Sequence, residues 1–316
     1  MLNYTIRRLL IAAILVLVVG VIGQVAIYMI PGDPAYLILG AEMAPDPVML
    51  KSVREELGLD QPLYVQVLRG LGGFLRLDLG KSFQDKRPVT TLVAETFPVS
   101  FALVISATLF AIVFGMTLGT IAAIKHNTLI DWLATVVATL GISTPVFVTG
   151  TFMIYLFSLQ WRLVPATAYA SFSEDPASFL KQLMLPMLAA GIAHGAETAR
   201  MTRSSMLETL RADYITTARS KGLTELAVHV RHGLRTALIP VVAMIGVQFG
   251  SMFGRTVLIE VVFNWPGMMS TMVSAATFHD FPVVRGILIV VAGAFILINL
   301  ITDLIYAYLD PRIVYN

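Results

Sequence analysis

Long apolar runs dominate this chain. Leu9–Ile30 holds 22 residues without a charge, Pro98–Ile124 holds 27, Trp132–Leu159 holds 28 with Pro145 inside it, and Thr236–Gly254 holds 19. About 20 apolar helical residues cross a bilayer core about 30 Å thick, so each run predicts a membrane-spanning helix. Leu183–Met201 is a weaker span, because His194, Glu197 and Arg200 fall in its second half. Val283–Leu309 is a sixth, with Arg285 at one end and Asp303 near the other. The pattern predicts an all-α integral membrane protein with six transmembrane helices. A strand-built barrel would alternate apolar and polar positions over segments of about ten residues, and nothing here alternates.

Two polar stretches separate the runs. Residues 31–97 open with the turn cluster Pro31-Gly32-Asp33-Pro34 and continue with helical patterns at Val48–Leu57 and Val65–Leu77. In the second stretch, residues 202–235, Leu207, Leu210, Tyr214 and Ala218 recur at the spacing of one helix face. Gly222 tolerates φ > 0 and is placed to end that helix. Thr224 is placed to cap a second helix running to about Arg235. The result is a helix, a glycine turn and a helix. By pattern alone this is a functional element or a plain connector.

Charge orients the chain. Arg7 and Arg8 precede the first run, Lys125 sits in a short turn, and residues 200–235 hold Arg200, Arg203, Arg211, Arg219, Lys221, Arg231 and Arg235. Basic residues in short loops stay in the cytoplasm, which places the N-terminus, that turn and 200–235 inside. Six spans return the C-terminus, near Arg312, to the same side. The stretch 31–97 holds seven basic residues and is expected outside, because long loops cross regardless of charge. The first run exceeds the roughly 7–15 apolar residues of a cleaved signal and continues into Tyr28-Met29-Ile30-Pro31, so it is read as a retained helix.

Composition narrows the function classes. Hydrophobic residues make up 57% of the chain and charged residues 13%, about half the roughly 25% usual in soluble domains. The mean hydropathy is +0.79. Lys+Arg 22 against Asp+Glu 20 leaves a net charge of +2, without the basic excess that marks a nucleic-acid partner. No cysteine is present, which excludes disulfides, Cys-ligated metals and a thiol nucleophile.

Catalytic motifs fail on inspection. Gly80-Lys81-Ser82 looks like the end of a phosphate-binding loop, but the required glycine five residues earlier is Leu75, and no apolar helix follows. A zinc protease needs two histidines on one helix turn; His194-Gly195-Ala196-Glu197 has one. Ser251 has no obvious general base. The histidines at 126, 194, 229, 232 and 279 are scattered, and His194 is read as a packed or water-facing polar group. No catalytic residue, metal or cofactor of the chain's own is expected.

The basic stretch carries a family signature. Asp213-Tyr214-Ile215-Thr216-Thr217-Ala218-Arg219-Ser220-Lys221-Gly222-Leu223, then Val230-Arg231-His232 and Leu234-Arg235-Thr236-Ala237-Leu238-Ile239-Pro240, closely resembles the cytoplasmic EAA loop of ABC-importer permeases, in their dipeptide/oligopeptide/nickel (DppB/OppB-like) branch. Pro31-Gly32-Asp33-Pro34-Ala35, Glu56-Leu57-Gly58-Leu59-Asp60-Gln61-Pro62 and Asp78-Leu79-Gly80-Lys81-Ser82 resemble that branch's outer segment. Glu260-Val261-Val262-Phe263-Asn264-Trp265-Pro266-Gly267 resembles its external loop, and Asp310-Pro311-Arg312 its tail. Three departures stand out: Thr216-Thr217-Ala218 replaces Glu-Ala-Ala, Pro240 lies further from Gly222 than in the generic signature, and Met269 stands where a second glycine is expected.

The resemblance implies the type I importer fold. It divides the chain into an N-terminal helix (1–30), a periplasmic segment (31–97), a permease core (98–309, with the EAA loop at 203–240) and a cytoplasmic tail (310–316). It also implies the partners: a second, non-identical permease, two ATP-binding subunits that hold the ATP, a periplasmic or lipid-anchored substrate-binding protein, and the lipids of a bacterial inner membrane. Residues 218–223 would form a coupling helix docked on an ATPase, with Tyr214, Thr216, Thr217, Ala218, Arg219, Lys221, Gly222 and Leu223 as its residues. Arg219 and Lys221 would pair with acids on that partner. Phe263, Trp265, Pro266 and Gly267 would shape the outer loop. The expected cargo is di- or oligopeptides, with nickel, glutathione or another small solute as alternatives and a secondary transporter as the rival class.

Small residues mark expected seams. Gly115 and Gly119 are four apart, and Gly246, Gly250 and Gly254 repeat that spacing. Such spacing lets helices approach closely in lipid, for static packing or for a moving, subunit-facing helix. Glu197 and Asp303 are expected near the inner ends of their spans, each placed equally to pair with a nearby arginine or to touch substrate, and Arg255 and Glu260 at the outer interface. The topology is testable with a reporter active only in the cytoplasm. Fusions after Lys125, after Lys221 and at Asn316 should be active, and fusions at Asp60 and Ser173 silent. Activity at Asp60 would overturn the six-span arrangement.

Overall fold

The computed structural model describes residues 2–29, 35–36, 47–57, 60–76 and 78–309. Pro31-Gly32-Asp33-Pro34, Gly58-Leu59, the tail from Asp310 and the side chain of Asp303 lie outside the described residues. The helices in chain order are α1 (Leu2–Met29), α2 (Pro47–Leu57), α3 (Leu63–Leu75), α4 (Val89–Ile124), α5 (Leu129–Ser143), α6 (Val146–Gln160), α7 (Pro176–Leu210), α8 (Asp213–Ser220), α9 (Glu225–Val262), α10 (Met268–Thr277) and α11 (Phe281–Leu309). Among the described residues, strand pairing is limited to one isolated antiparallel bridge, Lys81 to Pro88.

Among the described residues, α4, α7, α9 and α11 are long and apolar enough to cross a bilayer. The expected run 132–159 differs from a simple span. It forms two helices, α5 and α6, bent by 104°. The cause is local. Proline disfavours the helical region for the residue before it, and Thr144 (ψ 123°) and Pro145 (ψ 136°) are both extended. With 15 residues, α5 is about 22 Å long, short of a bilayer core by itself. The last seven residues of α6, Ile154–Gln160, widen into a π-helix. α1, 28 residues long, corresponds to the first expected span and carries its apolar stretch at Leu9–Gly23.

The chain divides into two compact units. The first comprises residues 1–100 and 266–297. Here the Gly80-Lys81-Ser82 motif forms a tight turn. Gly80 takes φ +87°, the Val89 amide donates to Gly80 O at 2.9 Å, and the Ser82 amide donates to Arg87 O at 2.9 Å. The buried Asp280 carboxylate ties the turn down, accepting from the Ser82 hydroxyl at 2.5 Å and the Phe83 amide at 3.0 Å.

The second unit, residues 101–265 and 298–316, is built around α7. Asp175 caps that helix by accepting from the Ser178 amide at 3.1 Å, with Pro176 at its first position. The same bonding to Ser178 holds the Asp175 carboxyl below its ordinary range. Small residues then line α7. A Cβ on Gly115 of α4 would lie 2.5 Å from Gly195 O and 2.6 Å from Thr198 Cβ; one on Gly119 would overlap Ala199 O. In return, Gly191 and Gly195 of α7 receive the rings of Phe110 and Phe114. Gly141 of α5 meets Ala196 in the same way. Gly115 and Gly119 thus form a packing seam inside the chain.

The second glycine series is not one stripe. A Cβ on Gly246 would collide with Thr302 of α11, Gly250 is buried, and Gly254 faces open space. Overpacking a close helix contact costs about 1–3 kcal/mol. Gly115→Val should therefore lower the chain's thermal stability in detergent and its membrane abundance. Gly254→Ala should leave both near normal. Equal stability of the two variants would contradict the seam.

Candidate functional site

The basic stretch after α7 folds into two short helical arms. α7 stops at Leu210, Ala212 is extended (ψ 148°), and α8 starts at Asp213. The expected single helix face through Leu207, Leu210, Tyr214 and Ala218 is therefore split. Leu207 and Leu210 stay on α7, packed around the buried Met206, Ala123 and Ala237 with Leu234. In α8 the anchors are Ile215, fully buried, and Ala218, which meet Val228 of α9. Tyr214, expected as an anchor, is 44% exposed instead. A residue between the extended Ala212 and the glycine turn is rotated out of the register that α7 sets, which is why the projected face fails.

The turn between the arms follows the sequence. Lys221 closes α8 through its amide to Thr217 O at 3.1 Å, and Gly222 takes φ +77° with its amide on Arg219 O at 2.9 Å. No atom lies within 4 Å of a Cβ built there, so the chain itself leaves room for a side chain and only the backbone resists one. Thr224 caps α9, accepting from the Ala227 amide at 3.4 Å. The second arm does not stop at Arg235. It passes through a π-helical segment, Val228–Leu234, and continues as α9 to Val262.

Arg219 is already engaged. Its Nε and Nη2 donate to the two carboxylate oxygens of Glu225 at 2.9 and 3.2 Å, and His229 Nε2 lies 3.4 Å from the same carboxylate. Arg219 thus has a partner within the chain. Its fork closes the Gly222 turn from one arm to the other. Thr216, Thr217, Lys221, Gly222 and Leu223 are exposed, and Leu226 is 73% exposed beside them. Ile215, Glu225, Leu226 and Val228 were absent from the sequence-based set. A pair spaced six apart across a glycine turn fits no single-helix rule.

One buried ion pair steadies the helix that feeds this loop. Arg203 of α7 donates from Nε to Asp131 Oδ1 at 2.6 Å and from Nη2 to Oδ2 at 2.8 Å. Asp131, 5% exposed, also accepts from the Asn127 amide at 3.0 Å, with His126 Nδ1 at 3.1 Å. This two-pronged contact fixes the start of α5 to α7 about two turns before α7 ends at Leu210.

The other expected residues lie elsewhere. Phe263 and Trp265, expected to shape an outer loop, are buried. Trp265 sits edge-on to Tyr169 at 5.1 Å and tilted against Phe179 at 5.7 Å, while Phe263 fills the space beside Gly150. Between them Asn264 takes φ +48°. Pro266 is exposed, and Gly267 caps α10 with φ −93°, a value any residue adopts. Met269 is buried. Glu260, expected at the interface, is fully buried, and Arg255 reaches Glu197, Nη1 to Oε1, at 3.8 Å. Among the described residues, no group of three His, Asp or Glu side chains is arranged to hold a metal.

Comparison with known proteins places these features. Residues 115–315 match the family described as "Binding-protein-dependent transport system inner membrane component", and residues 1–104 match "Binding-prot-dependent transport system membrane comp, N-term". The chain is 40% identical over 316 residues, all of both chains, to "Glutathione transport system permease protein GsiC" of Shigella flexneri serotype 5b (strain 8401). It is 39% identical, over the same full length, to the protein of that name in Escherichia coli (strain K12). Among solved structures, the MetNI methionine ABC transporter in inward-facing form matches with a TM-score of 0.53 and 15% identity, over 69% of this chain and 96% of that one. An amino acid ABC transporter solved with histidines gives 0.52 and 15%, over 71% and 95%. These two establish likeness of fold.

Proposed function

The chain belongs to the family of binding-protein-dependent transport system inner membrane components, and from that premise we propose that it carries short peptides across the membrane, driven by a partner's ATP hydrolysis that the loop 213–226 transmits. It is a permease subunit of an ABC importer and a multi-pass inner-membrane protein; the chemistry of ATP belongs to other subunits. It works with other components of such a transporter. The finer composition, one non-identical permease, two ATPases and a substrate-binding protein outside, is part of the proposal. So is the orientation, with both termini and the EAA loop in the cytoplasm and residues 31–97 outside.

The observation that carries the reading is the build of the loop. An exposed rim of Tyr214, Thr216, Thr217, Lys221, Leu223 and Leu226 stands on a braced base. Ile215 and Ala218 against Val228, and the Arg219–Glu225 fork, hold α8 and the start of α9 in one geometry. A braced element of this kind passes a push at its tip to the long helices α7 and α9 as a rigid-body movement. An exposed apolar rim on a basic loop is the surface a partner protein covers. Glutathione, named for the relatives, is itself a small peptide, which favours peptides over nickel as cargo.

Gly222 gives the direct test. A non-glycine residue at φ +77° is strained by roughly 1 kcal/mol, small beside the packing of the spans, so Gly222→Asp should insert and fold. Crowding and charge at the docking rim should still abolish uptake. The expected result is lost peptide uptake with membrane abundance near normal, while Ser220→Ala stays mild. Normal uptake by Gly222→Asp would reduce the loop to a connector. In purification, the chain should emerge with one different permease and two ATPases. Transport by a homodimer without any ATPase would refute the assembly.

A further inference from the structure

Two of the ion pairs in the second unit are built in opposite ways. Asp131–Arg203 is two-pronged, at 2.6 and 2.8 Å, with the aspartate side chain 7% exposed. Glu197–Arg255 makes one contact at 3.8 Å, with the side chains 33% and 59% exposed. The first has the form of a structural lock. The second is loose and open, yet it joins two spanning helices, Glu197 on α7 and Arg255 on α9. Ionisable groups on spanning helices face the bundle interior or a water-filled cavity, because hydrocarbon penalises them by several kcal/mol.

The surroundings of the pair are polar and incompletely satisfied. Gln248 Nε2 donates to Glu197 Oε2 at 2.8 Å, which leaves that carboxylate only its loose contact to Arg255 as a charged partner for Oε1. Gln248 Oε1 accepts from Thr198 at 3.3 Å, so the amide's orientation is set. One helix turn away, the His194 side chain is 6% exposed, and its Nδ1 makes no hydrogen bond among the described residues, lying 4.0 Å from Glu197 Oε2. His194, Thr108 and Gln248 line a cavity of about 10 Å³, room for about one water. A buried ring nitrogen without a partner, beside a carboxylate and an open guanidinium, is a site with donors and acceptors unspent.

We infer that Glu197 and Arg255, steadied by Gln248 and flanked by His194, form a subsite on the transport path for zwitterionic solutes, taking the free ammonium and the free carboxylate of a short peptide. The inference rests on the peptide reading above. Two opposite charges held loosely side by side can exchange each other for the two ends of a zwitterion at little net electrostatic change. Arg255 then receives the carboxylate with its planar fork, and Glu197 the ammonium. The loose contact also explains why passage need not be slow: a released solute is replaced by the partner charge rather than by an unpaired one.

The absence of cysteine makes the test clean. In the full assembly in membranes, with alanyl-alanine as the probe, Glu197→Cys and Arg255→Cys should react with a water-soluble, membrane-impermeant methanethiosulfonate. Millimolar alanyl-alanine, supplied with the substrate-binding protein and ATP, should slow that reaction at least fivefold. Glu197→Gln and Arg255→Gln should lower alanyl-alanine uptake at least tenfold at unchanged membrane abundance. Cysteines that do not react, or that react without protection while the glutamine variants transport normally, overturn the subsite. If the unsubstituted assembly takes up neither alanyl-alanine nor glutathione, the peptide reading falls and the subsite with it. Uptake by the unsubstituted assembly with no protection removes the subsite alone.

Discussion

Everything in the second unit depends on how closely α4 approaches α7. In hydrocarbon no hydrophobic force draws helices together, so contact relies on backbones that can touch. Gly115 and Gly119 on one side, and Gly191, Gly195 and Ala199 on the other, supply that contact. Phe110 and Phe114 then fill the grooves that the α7 glycines leave open. With α7 held this way, its other sides are free to carry polar groups: Arg203 toward α5, Glu197 toward α9. The least apolar of the long spans is also the one that carries both of these ion pairs.

The α7 helix connects the loop to the interior. Its last turn packs Met206, Leu207 and Leu210 against Ala123, Leu234 and Ala237, and a single extended residue later the chain enters α8. The arms around Gly222 are braced by apolar contacts beneath and by the Arg219–Glu225 fork at the tip. A displacement applied at Leu223 or Leu226 reaches α9 through its own first turns and α7 across the extended Ala212. The π-helical segment Val228–Leu234 lies on that route, and such segments recur at functional positions in helices.

The spans, the Gly222 turn and the Thr224 cap were legible in the sequence, because each depends on local rules: apolar length, positive φ, a side-chain cap. What was not legible depends on tertiary register. The face Leu207–Ala218 assumed one continuous helix, and the extended Ala212 broke it, turning Tyr214 out and Ile215 in. Pro145 was read as an interruption, while the 104° bend needed Thr144 and Pro145 extended together. Phe263 and Trp265 resembled loop residues by position; Trp265 is core because Tyr169 and Phe179 meet it from segments 96 and 86 residues away, and Phe263 because it packs beside Gly150. The pairing of Arg219 with Glu225 was not legible because the two lie on opposite sides of a turn. The partner of Glu197 was sought among nearby arginines, and it is Arg255, on α9.

The central claim is that α8 and the start of α9 move as one body. Spin labels on Ser220→Cys and Thr236→Cys, in the otherwise cysteine-free chain, report the distance between the loop and the base of α9 within the assembled transporter. With and without ATP, that distance should stay the same to within about 2 Å, the scale of small interface shifts, and its distribution should stay narrow. A distance that shifts further or spreads with ATP would show a loop that flexes rather than transmits, and would contradict the account.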